Sequence, residues 1–376
     1  MYIDKIFEID EILNFEEQIA RNQNAQILNV SYWNTGTKYQ DYLQKCIKLD
    51  FKENIFDYKY TYDIPKNARN KIIKKLTGIE NEKVMCLLTP SSTCSITNMI
   101  NYLKLNNYHK ICILTPAYFS IEETCKIFRL NYEKKQLIYS DKKYHIPKDY
   151  ILKNEFDAVW ITSPVYSTGE VFERSEIDAL EELMENHILV IADETLALPG
   201  QELSRVVPIG NYFYSIYSPH KSLFINTIKF SAILCPIKND DFLEQWIDVL
   251  GGGLLHSNIT AISHYLSPNF DHCVQHSIEW FRLASNTIKN VIKNTSNAYC
   301  NVSEVSSYKA IYFDSTHKNP NKLENVMELI EAHHVSYIPG ILNGCDSNNI
   351  NCFRINLSLT PSEIENALYR ILHFYA

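Results

Sequence analysis

Two kinds of segment alternate along the chain. Short β-branched apolar runs, KVMCLLT (83–89), KICILT (110–115), DAVWIT (157–162), ILVIAD (188–193) and FSAILC (230–235), are mostly separated by stretches of helical spacing such as SITNMINYLKL and SEIDALEELMENH. Apolar runs without polar alternation predict strands covered on both faces, and their alternation with helices predicts a parallel sheet. The expected fold class is α/β, with a mostly parallel central sheet and helices on both faces. Past about residue 236 the pattern changes to long helical stretches, 240–250 and 258–296. A closing α+β section follows, in which YKAIYFD, VSYIPG and CFRINLSL read as strands and SEIENALYRILHF as the last helix. Gly251-Gly252-Gly253 reads as a flexible joint. Three segments are expected: an N-terminal arm at 1–46, a large domain at 47–250 and a smaller α+β domain at 251–376.

In parallel sheets ligands collect at the carboxyl ends of the strands. Here those ends carry small or reactive residues: Thr-Pro-Ser-Ser-Thr, Thr-Pro-Ala-Tyr, Thr-Ser-Pro-Val-Tyr and Asp-Glu-Thr close the first four runs. Composition narrows what the ligand is. The 376 residues are 45% hydrophobic and 21% charged, with a formal charge of −8 and scattered Lys and Arg. Neither a nucleic acid nor an anionic membrane surface has electrostatic support, so a small molecule is expected. No apolar stretch approaches the roughly 20 residues needed to span a bilayer. The ten cysteines form no CxxC pair, and the opening MYIDKIFEIDEILNFEEQIA is too acidic for a secretory signal, which predicts free thiols in a reducing cytoplasm. His272, Cys273 and His276 have helical metal-ligand spacing without further ligands, so no metal is expected. His333-His334 reads as a helix end.

The remaining chemistry follows one order along the chain. Ser91, Ser92 and Thr93 stand in TPSSTCSITNMI, Tyr118 in TPAYFS, Asp193 at the end of ILVIAD, and Lys221 in Ser218-Pro219-His220-Lys221, with Lys229 eight positions later. From about residue 56 onward the chain resembles the aminotransferase class I/II superfamily, the fold-type-I pyridoxal-phosphate enzymes. The resemblance implies that Lys221 condenses with the aldehyde of pyridoxal 5'-phosphate as a Schiff base and then shuttles protons. Asp193 would keep the pyridine nitrogen protonated, so that the ring accepts electrons. Ser91, Ser92, Thr93, Ser218 and Lys229 would hold the phosphate, since it is bound by helix-start N–H groups, hydroxyls and a cation. Tyr118 would stack on the ring, with packing in the core as its alternative.

Arg354, in CFRINLSL, would fork-bind the α-carboxylate of an amino acid substrate, because a planar guanidinium matches a carboxylate bidentately. Tyr60 and Asn258 would reach the neighbouring site of a homodimer. The chain also departs from the family. Tyr166 replaces the asparagine that faces the ring oxygen, so it either donates to that oxygen or packs as an aromatic. Leu196 stands where a phenol is usual, Lys229 replaces an arginine, and Gly253 stands where acid-specific relatives carry an arginine, which argues against an acidic substrate side chain. The acidic opening (Asp4, Glu8, Asp10, Glu11) is a solvated arm or, as in relatives, a strap across the site mouth. Three readings stay open: an aminotransferase, a relative that eliminates, cyclises or oxidises an arginine-like amino acid, and a non-catalytic module on the same fold.

Overall fold

A computed structural model describes residues 2–47, 59–237, 240–301, 305–314, 316–345 and 350–376, with only the backbone described for 2–6 and 240–245. The side chain of Asp4 and the residues just past the expected boundary at 46–47 therefore lie outside the described residues.

The five apolar runs are strands, and two further strands join them in one seven-stranded sheet. In chain order these are β1 (Val84–Thr89), β2 (Lys110–Thr115), β3 (Asn131–Gln136), β4 (Ala158–Thr162), β5 (Leu189–Asp193), β6 (Phe213–Tyr217) and β7 (Ser231–Pro236). The spatial order is β1-β7-β6-β5-β4-β2-β3. All pairings are parallel except those of β7, which runs antiparallel to both β6 and β1. Every residue of β4, β5, β6 and β7 is buried, as a strand covered on both faces requires. β3 (NYEKKQ) has no apolar run and lies on the edge, where polar residues tolerate water and discourage pairing with other chains. A core of Leu87, Ile96, Met99, Ile113, Trp160, Ile191, Ile216 and Ile233 forms around these strands.

The chain divides into two compact units. One comprises 43–165 and 171–275, and contains the seven-stranded sheet; the other comprises 1–42, 166–170 and 276–376. Within the second, an antiparallel sheet runs Ala298–Cys300, Tyr308–Phe313, Asn351–Asn356. The helix Pro361–Tyr375 starts with Pro361 after a Thr360–Glu363 capping box, and the helix Leu323–His333 lies against the N-terminal helix Tyr2–Gln23. The short strand Leu28–Asn29 pairs with Val335–Ser336. These boundaries differ from the expected ones. The first 42 residues share the core of the C-terminal unit, and the division falls inside the helix Pro268–Lys293, past the glycines. The glycine run has a local reason instead: a Cβ on Gly251 would meet Cys94 Sγ at 2.6 Å, and Gly252 has φ +65°.

Candidate active site

Parallel strands bring their carboxyl ends to one edge of the sheet. β1 ends at Thr89 and, after Pro90, leads into the helix Ser92–Leu105, whose N-cap Ser91 accepts from Cys94 N at 3.3 Å. Ser91, Ser92 and Thr93 thus stand at a helix start whose N–H groups have no intrahelical partners, the ordinary seat of an anion. Behind them runs a chain of buried hydroxyls. Thr89 Oγ1 and Ser95 Oγ are 2.7 Å apart, Ser95 donates to Ser231 Oγ at 2.9 Å, and Ser231 donates to the Tyr217 carbonyl at 2.9 Å. The last atom belongs to β6, which leads to Lys221.

Asp193 closes β5 and is buried, 2% exposed. Burial pushes its carboxyl above the usual range, and the hydroxyl and N–H of Thr195 partly oppose this; Thr195 N donates to Oδ1 at 3.1 Å. On the neighbouring strand β4, Thr162 pairs with Asp193 in register. Thr162 Oγ1 and Ser163 Oγ are buried without a protein partner. Tyr118 precedes the helix Phe119–Ile127, and its phenol titrates above the ordinary value because it is buried. A hydrogen bond with Thr93 opposes that shift, and the charge of Asp193 adds to it. Tyr118 is therefore shared by the helix start and the carboxylate.

β6 ends at Tyr217, next to β5, and Lys221 opens a single 3-10 turn, Lys221–Leu223, closed by Phe224 in the left-handed region at φ 59°. Lys221 is half-buried. His220, fully buried beside it, meets His264 (Nε2 to Nδ1, 3.2 Å). Burial first, then His264 and Lys75, push the His220 pKa well below the usual value. Ser218, expected to serve a phosphate, donates its hydroxyl to the Phe230 carbonyl at 2.9 Å. Lys229 is half-buried on the same loop. Tyr60 is exposed and stacked on Tyr62, ring centroids 4.9 Å apart. Asn258 is buried, with its amide bonded to Leu255 N, the Pro90 carbonyl and the Lys229 carbonyl.

Arg354, Tyr166 and Ser167 belong to the other unit. Arg354 lies on the strand Asn351–Asn356 and is 1% exposed. Its Nε donates to the Ser31 carbonyl and its Nη1 to Ser167 Oγ, each at 3.0 Å, while the guanidinium lies 3.9 Å from the Trp33 ring centroid and 4.6 Å from that of Tyr308. Ser167 holds φ +64°, and Gly169 holds φ +73° where a Cβ would strike the Tyr308 carbonyl. Nη2 of Arg354 is buried with no protein partner. A desolvated N–H pair on a guanidinium is costly unless a ligand anion takes it. Tyr166 is buried, and Tyr308 feels its charge. Ser31 and Trp33 carry no motif; Ser167 follows Tyr166, Tyr308 opens YKAIYFD, and Ser95 and Ser231 stand inside stretches quoted above, without marking themselves among other residues of their kind.

Among the described residues no group of His, Cys, Asp and Glu could hold a metal, and no helix is long and apolar enough to cross a membrane. Compared by sequence, the chain matches no curated protein significantly. The family model for aminotransferase classes I and II matches residues 41–198. Among solved structures, an Escherichia coli protein described as having a methionine aminotransferase function shares 14% identity and a TM-score of 0.77, over 97% of this chain and 96% of that one. A multiple-substrate aminotransferase from Thermococcus profundus gives 14% and 0.77, over 98% and 94%. A pyridoxal-phosphate-bound structure from Clostridium difficile 630 gives 17% and 0.73, over 95% of each chain.

The residues fit that cofactor. A buried carboxylate supported by Thr195 suits a protonated pyridine nitrogen, hydroxyls at Thr162 and Ser163 with no partner among the described residues stand at the end of the adjoining strand, and an anion-seating helix start stands beside Tyr118. Residues 41–198 thus match the aminotransferase class I and II family, and nearly the whole chain shares its fold with solved structures described as aminotransferases.

Proposed function

We propose that the enzyme is an aminotransferase that moves the amino group of a free α-amino acid to a keto acid. The observation that carries this reading is that Asp193, buried at the end of β5, and Lys221, on the turn leaving the adjacent strand β6, both stand at the carboxyl edge of the sheet. Pyridoxal phosphate supplies an aldehyde and an electron-accepting ring. Lys221 would hold the aldehyde carbon, and its amine is the group that would carry the proton of the substrate α-carbon. Asp193 accepts a hydrogen bond from the ring N–H, and its burial makes that bond strong, because few other groups share its charge. The Ser92 and Thr93 N–H groups, with Lys229 as cation, seat the phosphate. Tyr118 covers one ring face. Arg354 receives the substrate carboxylate through Nη2, held in place by Ser31, Ser167 and the Trp33 and Tyr308 rings. Gly253 leaves an acidic side chain without a cation.

The similar structures are described as aminotransferases, and no feature of the site favours elimination, cyclisation or oxidation, so transamination is the reading taken forward. A homodimer in a reducing cytoplasm completes it. Its support is an exposed apolar patch of Tyr60, Tyr62, Val249, Leu250 and Leu255, with Val249 72% and Leu255 66% exposed, and ten unbridged cysteines. The deciding experiment mixes purified yellow enzyme with a panel of amino acids and no keto acid. One equivalent of amino donor consumed, with turnover restored by a keto acid, is the expected result. Repeated turnover without keto acid, or a borohydride-fixed cofactor recovered on a lysine other than Lys221, overturns the proposal. Light scattering on the wild-type protein and on Leu255→Asp tests the dimer: a monomeric, active wild type removes it.

A further inference from the structure

The geometry points to Asn258 as the residue that positions the phosphate seat, acting within its own chain. Asn258 is 3% exposed, at the third position of the helix His256–Tyr265. Its Oδ1 accepts from Leu255 N at 2.8 Å, which caps the helix. Its two amide hydrogens leave the helix altogether: Nδ2 donates to the Pro90 carbonyl at 3.1 Å and to the Lys229 carbonyl at 2.5 Å. Pro90 is the residue before the N-cap of the helix that starts at Ser92, and Lys229 carries the cation assigned above to the phosphate.

A side-chain amide has two donor hydrogens and an oxygen with two lone pairs, and here both donors and one lone pair are committed to backbone in three separate segments. Both amide hydrogens of Asn258 are thus held within its own chain, whereas its place in the sequence suggested a reach toward a neighbouring copy. What it does instead is set the distance between the helix start and the lysine loop. A phosphate dianion bound by helix N–H groups and one ammonium depends steeply on that distance, since both contacts are charge-assisted hydrogen bonds. With lysine in place of the usual arginine fork, a single point charge must be placed well, which gives the tie more weight.

The test measures binding of pyridoxal phosphate and of pyridoxal, the same aldehyde without the phosphate, to apoenzyme. This rests on the cofactor reading above. Asn258→Asp keeps size and the capping acceptor but replaces both donors with an oxygen that repels the two carbonyls. Its Kd for pyridoxal phosphate should rise about tenfold or more, for two lost hydrogen bonds. Its Kd for pyridoxal should stay within about twofold, and inorganic phosphate should compete less well. Asn258→Ala should shift the same ratio, with circular dichroism of the apo form reporting its fold. An Asn258→Asp variant that binds pyridoxal phosphate as wild type does would show capping to be the whole role. Equal loss of both affinities in the two variants would show a general loosening; either overturns the inference. A wild type that binds neither compound would instead overturn the cofactor reading.

Discussion

Asp193 and Arg354 are both buried ionisable groups whose partners among the described residues leave part of their bonding capacity open. Burial raises the Asp193 pKa. A carboxylate with a raised folded pKa stabilises the fold at low pH, relative to its ionised state, and that contribution is lost as pH climbs from the unfolded value, about 3.9, through the raised one. Above the raised value the apoprotein therefore bears the cost of a buried anion. Asp193→Asn should raise the melting temperature of the apo form at pH 7, shrink the further rise caused by pyridoxal phosphate, and lower turnover on the order of a hundredfold. Differential scanning calorimetry of apo and loaded forms checks this, and equal apo melting points would contradict it. Arg354→Lys keeps a charge but cannot serve Ser31, Ser167 and a carboxylate together. Losing one charge-assisted bond costs about 1.5–3 kcal/mol, so the amino acid KM should rise tenfold or more while cofactor affinity holds. An unchanged KM would remove Arg354 from the substrate.

At the scale of elements, the helix Ser92–Leu105 and β6 are joined through side chains. The chain Thr89–Ser95–Ser231–Tyr217 carbonyl is buried throughout, so its members have no water to turn to. Ser95→Ala breaks it in the middle and strands hydroxyls on both sides. Unfolding free energy measured by urea titration should fall by roughly 1–3 kcal/mol. No change in stability would mean that the neighbouring hydroxyls find other partners. Alanine at Ser95 should also loosen pyridoxal phosphate, since the helix start and the lysine loop are the two elements it connects.

On the scale of the whole molecule, pH acts through groups buried under the sheet's carboxyl edge. Glu194 is fully buried beside Ser215, Ser204 and the second acid Glu202; burial, ahead of the Glu202 charge, pushes its carboxyl up to about 7. Its folded pKa exceeds the unfolded 4.5, so the folded protein holds the proton more tightly and stability falls as pH rises from 4.5 to about 7. His264 works the other way: burial, with Lys75 facing it, lowers it to about 4, so stability rises with pH from there to about 6.5. The two oppose each other over most of the acid range. Glu194→Gln isolates the acid term. The unfolding free energy of wild type minus that of the variant should fall between pH 4.5 and about 7 and level off above. A difference that is flat across this window would place the Glu194 proton elsewhere.

The sequence alone determined the elements that are patterned locally. Five apolar runs became buried strands, and Asp193 and Ser91 to Thr93 stand at the ends of two of them, where a strand's exit puts a side chain at the sheet edge; Lys221 follows a strand that the apolar pattern did not mark. Arg354 was readable from its place before the last helix, although not what holds it. Two strands of the seven-stranded sheet went unmarked: β3 is polar because it lies on the edge, and FYSIY of β6 merges with the lysine loop in the sequence. Tertiary structure alone decided the rest. It joined residues 1–42 to the C-terminal unit, placed Ser31 and Trp33 on Arg354 across more than 300 positions, and spent the amide of Asn258 on Pro90 and Lys229. Such partners have no periodicity to betray them. A backbone carbonyl or a buried hydroxyl takes whichever donor the packed chain delivers, and that choice exists only once distant segments have been brought together.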